Sequence, residues 1–192
     1  MNRTTQRDVI FLGDSITEGC DWSELFQNPH IKNHGIGGDT SDGVLKRLDP
    51  IISSMPQQIF LMVGINDLWN GVSVDGVVAN CRRILAQCKS KTHTTMLFIQ
   101  SVLPMTSIWS SSPGRVSTVN AQVVALNDAL RKLTSEFHYS YIDLHSLFVK
   151  EGQLDPRYSS DGLHLNDEAY MMWKSAIQDL ISNNTQASRS PK

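Results

Sequence analysis

The 192 residues are 40% hydrophobic and 19% charged, with a formal net charge of −2. That length suits one domain with a substantial core, and the near-neutral balance gives no electrostatic basis for binding nucleic acid or an acidic membrane surface. No stretch approaches the roughly 18 apolar residues of a membrane span, and the apolar run in "MNRTTQRDVIFLG" is too short for a signal peptide. Cys20, Cys81 and Cys88 lack metal-type spacing and read as reduced core thiols, so a cytoplasmic location is the expectation.

In chain order, "DVIFLG" (8–13), "QIFLMVG" (58–64), "TTMLFIQSV" (94–102) and "YSYIDL" (139–144) are continuous apolar runs of strand length. Such runs suit strands buried on both faces of a parallel sheet. "HIKNHG" (30–35) reads as a short edge strand. Between them lie helical stripes: Val77, Val78, Cys81, Ile84, Leu85 and Cys88, then Val119 to Phe137, then Tyr170 to Ile181. This alternation predicts an α/β three-layer domain over 1–182 with right-handed crossovers. The polar, aperiodic segment from 183 to 192 is expected to be a disordered tail.

Ligands of such sheets bind outside the carboxyl ends of the strands. Polar and glycine residues gather at those ends, in "GDS" (13–15), "NHGIGGDT" (33–40) and "VGINDLW" (63–69), and the segment after the fifth strand leads to "SDGLHLN" (160–166). Ser15 sits between a strand and a helix, where it could cap that helix or act as a nucleophile favoured by the helix N-terminus. A phosphate loop is excluded, because neither glycine-rich phosphate motif is present. A nucleophile needs a base, and Asp161 and His164, three residues apart, can supply an imidazole with its orienting carboxylate. The backbone N–H of Gly38 and the amide of Asn66 are candidate donors to an oxyanion. A D-x-x-H pair offers too few ligands for a metal site. Asp67 is expected to order its loop, and Asp39 or Thr40 to cap the following helix.

Together these residues point to acyl transfer to water through a covalent intermediate, with no cofactor and no metal. The blocks "GDSITEG", "NHGIGGDT", "GIND" and "DGLHLN", in that order over residues 13–166, resemble the SGNH hydrolases, the GDSL esterase/lipase family. Ile16 and Ile65 depart from the family pattern without removing a functional group. The resemblance implies a flavodoxin-like five-stranded parallel sheet of order 2-1-3-4-5. It also implies Ser15, Asp161 and His164 as catalytic residues, and Ser15, Gly38 and Asn66 as the oxyanion hole. Block "GIGGDT…VLKRL" and the compact length resemble bacterial relatives of platelet-activating-factor acetylhydrolase subunits and sugar O-acetylesterases.

The segment 103–116 is expected to wall or cover the site. Asp14, Trp69, Met105 and Trp109 are candidate substrate contacts, with packing onto the domain as the other reading for Met105 and the tryptophans. No long apolar channel is evident, so the expected substrate is a small acyl ester with a short acyl group, acetyl the first choice. The alcohol is a carbohydrate or a lipid, with acyl-CoA thioesterase or lysophospholipase activity as the alternative. A flavodoxin-like nucleotide or flavin module would leave Asp161 and His164 idle. Oligomeric state is open, a homo-oligomer included.

Overall fold

A computed structural model of the chain describes residues 5–110 and 112–187, with 182–187 described by backbone alone. In chain order the elements are β1 (Val9–Gly13), α1 (Ser15–Glu18), α2 (Trp22–Leu25), β2 (Ile31–Gly35), α3 (Ser41–Ile52), β3 (Gln58–Met62), α4 (Ile65–Trp69) and α5 (Val74–Lys91). Then follow β4 (Met96–Gln100), α6 (Pro113–Phe137), β5 (Ser140–Ile142), α7 (His145–Phe148), a two-stranded ribbon of β6 (Val149–Lys150) and β7 (Gln153–Leu154), a 3₁₀ turn (Pro156–Tyr158) and α8 (Asp167–Ala187).

Five strands form one sheet in the order β2-β1-β3-β4-β5, and every pair in it is parallel. This is the expected flavodoxin-like order. The registers Phe11↔Phe60 and Phe60↔Phe98 put three aromatic rings on one face, stacked with centroids 5.1 and 4.6 Å apart. Trp22 of α2 stacks on Phe11 at 4.0 Å, and Trp173 of α8 meets Trp22 edge-on. Both buried indoles are satisfied, Trp22 Nε1 donating to the Thr17 carbonyl and Trp173 Nε1 to Gln100 Oε1, as buried tryptophans require. Side chains alternate along a strand, so Ile10, Leu12, Ile59 and Leu61 turn to the opposite face, where α3, α5 and α6 pack on one another. Phe11, Phe60, Ile10, Leu12 and Ile59 all have no accessible surface, which is why the central strands read as continuous apolar runs.

Cys20, Cys81 and Cys88 are free and buried, with thiols pushed up to about 12, chiefly by burial. The final helix continues to Ala187, so residues 183–187, expected as tail, are helical. No proline or glycine interrupts "ISNNTQA", and extending an existing helix gains one backbone bond per residue without a new nucleus. Residues 188–192 of that segment lie outside the described residues. Among the described residues no helix is long and apolar enough to cross a membrane.

Candidate active site

Gly13 ends β1, and the chain turns at once into the single-turn helix α1. Asp14, not Ser15, is its cap: Asp14 Oδ1 accepts from the Ile16 N–H at 3.0 Å. Ser15 is the first helical residue, which frees its hydroxyl. That hydroxyl lies 3.0 Å from His164 Nε2, a contact spanning 149 residues of chain. One helical turn sums few peptide dipoles, so α1 offers Ser15 its free N–H groups more than a macrodipole.

His164 and Asp161 sit on the loop between the 3₁₀ turn and α8. Asp161 Oδ2 is 2.6 Å from His164 Nδ1. Its other oxygen accepts from the N–H groups of Leu163 at 2.9 Å and His164 at 2.8 Å. Burial alone would raise this carboxyl, but the bonds from the His164 side chain and the two N–H groups outweigh it and hold Asp161 at about 2. An ionised carboxylate only accepts. The proton on the imidazole is therefore on Nδ1, and the neutral ring presents Nε2 as an acceptor to the Ser15 hydroxyl. Such an array can take a proton from the serine as it attacks a carbonyl.

The loop is held from the side. Gly162, at φ +90°, accepts at its carbonyl from the Thr106 N–H at 2.8 Å. A methyl group there would stand 2.4 Å from Thr106 Oγ1 and 2.8 Å from the Trp109 nitrogen, so a glycine is needed for this approach. The segment after β4 is itself pinned to α6. Asn127 bonds both backbone groups of Val102, and Asn120 bonds both of Met105. Residues 103–106 are thus buried and fixed against α6, and 113–116 are already helix. Trp109 stands edge-on to the His164 ring at 5.6 Å.

Two of the candidate contacts are corrected. Met105 has no accessible surface and packs in the core, because the asparagine clamp draws its backbone against α6. Asp14 is 1% exposed and spends its carboxylate on the Ile16 N–H. Neither side chain can reach a substrate in this arrangement. Trp69, at the end of α4, is partly buried under Arg115.

Burial pushes the Asp14 carboxyl up to about 7, with Asp39 adding to the shift and the Ile16 N–H and His164 opposing it. Unfolded, this group ionises near 4. Between those values the folded chain binds the extra proton, so stability falls as pH rises through the window. Asp14→Asn keeps the capping oxygen without the charge. Its stability gain is expected to be near zero around pH 4 and to grow to on the order of 4 kcal/mol above pH 7. Urea titrations across that range measure it, and a gain independent of pH would contradict this reading.

The remaining donors lie at the ends of β2 and β3. Gly38, at φ +75°, is exposed at the tip of the loop after β2, and the Ile36 N–H ties that loop to the Gly13 carbonyl at 3.1 Å. Asn66, in the first turn of α4, donates one amide hydrogen to the Asp39 carbonyl at 2.9 Å, which leaves its second free. Among the described residues the backbone N–H groups of Ser15 and Gly38 find no protein acceptor. Asp67 is 1% exposed and accepts from the N–H and hydroxyl of Ser41 at 2.9 and 2.6 Å, ordering the loop as expected. Thr40 caps α3 through the Gly43 N–H. Asp39 instead pairs with Arg47 Nε at 2.7 Å, and Arg47 Nη2 reaches the Gly13 carbonyl at 3.0 Å. Arg47 thereby joins the Gly38 loop to the Ser15 turn. The sequence gives no signal for it, since a cation on an amphipathic helix reads as solvated surface.

Among the described residues no group of three or more His, Cys, Asp or Glu is placed to hold a metal ion. A hydroxyl set against an oriented imidazole, with N–H donors left at the ends of neighbouring strands, is an arrangement that can carry out acyl transfer. The chain matches the GDSL-like lipase/acylhydrolase family over residues 11–172 and belongs to that family. It is 28% identical over 182 residues to platelet-activating factor acetylhydrolase IB subunit alpha2 of Rattus norvegicus, covering 91% of this chain and 76% of the relative. It is 27% identical over 172 residues to N-acylneuraminate cytidylyltransferase of Streptococcus agalactiae. That match takes in 88% of this chain but spans only 37% of the relative's length. The solved structure of a catalytic mutant of an acetylxylan esterase from Geobacillus stearothermophilus shares the fold. Its TM-score is 0.71 at 18% identity, over 94% of this chain and 96% of that one.

Proposed function

We propose that the protein is a serine esterase that moves a short acyl group, acetyl in the first instance, from an ester to water by way of Ser15. The observation that carries this reading is the relay from Asp161 Oδ2 to His164 Nδ1 at 2.6 Å and from His164 Nε2 to Ser15 Oγ at 3.0 Å. Ser15 Oγ attacks the ester carbonyl while His164 Nε2 takes its proton, and Asp161 stabilises the imidazolium. The N–H groups of Ser15 and Gly38 and the free amide hydrogen of Asn66 receive the charge that builds on the carbonyl oxygen. His164 then protonates the departing alcohol. Water, losing its proton to His164, attacks the acyl-serine and restores the hydroxyl.

One feature favours a short acyl group: the Trp109 ring stands edge-on against the imidazole at 5.6 Å and takes up space beside it. The name of the rodent relative, an acetylhydrolase, agrees with this choice, and a carbohydrate or lipid alcohol is the matching leaving group. The buried free cysteines fit a cytoplasmic setting. A series of p-nitrophenyl esters from acetyl to decanoyl tests the reading. The highest kcat/KM is expected for acetyl, with a fall at each lengthening; a maximum at the long chains would overturn the short-acyl assignment.

A further inference from the structure

We propose that Arg115 makes the site selective for esters whose alcohol part carries an anionic group, a carboxylate or a phosphate. The inference rests on the esterase reading of Ser15 and names the charge of its substrate. Asn66 and Trp69 are three residues apart on α4, which puts both on one face of that turn. Trp69 therefore shares a helix face with Asn66, whose amide is assigned to the oxyanion. Over its ring lies Arg115, from the first turn of α6, with the guanidinium carbon 4.0 Å from the ring centroid. Arg115 Nη2 also donates to the Trp69 carbonyl. The stack and the hydrogen bond fix an otherwise exposed cation on the turn of α4 that carries Asn66.

Arg47, Arg82, Arg131 and Arg157 pair with Asp39, Glu136, Asp143 and Asp155. Among the described residues Arg115, like Arg7 and Arg83, forms no ion pair, but of these three it alone is held over a ring and bonded to a carbonyl. The first turn of α6 carries no acidic residue. Stacking occupies one face of the guanidinium and one N–H; the other N–H groups stay open along its edge. That edge is the planar fork that takes two oxygens of a carboxylate or phosphate. An arginine needed only to join α4 to α6 would act equally on all substrates. One that binds an anion acts on charged substrates alone, and the two roles separate experimentally.

The test compares wild type, Arg115→Gln and Arg115→Lys on three acetyl esters: neutral p-nitrophenyl acetate, an O-acetylated sugar acid, and an O-acetylated glycerol phosphate. Gln keeps a planar group over Trp69 without the charge. For Arg115→Gln, kcat/KM on at least one anionic ester is expected to fall about tenfold, mostly through KM, while the neutral ester changes less than about twofold. Lys should recover part of the loss, and added salt should narrow the wild-type difference. Which anionic ester responds identifies the carboxylate or the phosphate as the recognised group. An equal fall on all three esters, or no change on any, overturns the proposal and leaves the esterase reading intact. Wild-type protein inactive on every ester would overturn the esterase reading itself.

Discussion

Ser15→Ala is expected to lower kcat on p-nitrophenyl acetate by on the order of a millionfold, with little change in KM or stability. Without the hydroxyl no acyl-enzyme can form. What survives is the modest help of the N–H donors and of binding, which elsewhere leaves a small residual rate over water. Ser15 is the first residue of α1 and its side chain caps nothing, so alanine removes no structural bond from the helix. Circular dichroism and urea midpoints should match wild type. Turnover within tenfold of wild type would show that the ester is cleaved by something other than Ser15.

Asp161→Asn is expected to cost about ten-thousandfold in kcat, although the substitution is nearly isosteric. The reason lies in the two roles of the carboxylate. Oδ1 accepts from the N–H groups of Leu163 and His164, so the amide oxygen of asparagine is held on that side. The NH2 group then faces His164 Nδ1 and donates where the carboxylate accepted. The imidazole must shift its proton to Nε2, which turns a donor towards Ser15 Oγ in place of an acceptor. Asp161→Ala, which imposes no tautomer, should be no worse than Asp161→Asn despite removing more atoms. An asparagine variant retaining more than a tenth of wild-type activity would contradict the orienting role.

The parts of this molecule that were legible in the sequence are those where one residue type has one physical use. Continuous runs such as "VIFL" and "IFLM" announced β1 and β3, because strands covered on both faces have no polar alternation to disguise them. β5 is shorter than the run at 139–144 suggested, since only Ser140–Ile142 meet β4. The first three polar blocks fell at the ends of β1, β2 and β3 and the fourth on the loop before α8, and the fold brings Ser15 and His164 into contact from 149 residues apart.

Other features were hidden because their residues look ordinary. Asn120 and Asn127 sit seven apart on the buried face of α6, where a periodicity count scores them as interruptions. Each instead satisfies both backbone groups of a residue in the segment after β4. That clamp is what carried Met105 away from the site. Asp14 was equally ambiguous, since a carboxylate next to a candidate nucleophile can face either substrate or backbone. The cap geometry decides for the backbone. Arg47 and Arg115 were invisible for the opposite reason, as exposed cations on helices are common and their partners are far away in sequence.

The central claim, a covalent acyl intermediate on Ser15, is tested most directly by mass spectrometry of enzyme quenched in acid during turnover of p-nitrophenyl acetate. Protein should gain the mass of one acetyl group, located on the peptide containing Ser15 and absent from Ser15→Ala. Steady hydrolysis with no acetylated protein under single-turnover conditions, or with the label on another residue, would contradict the account.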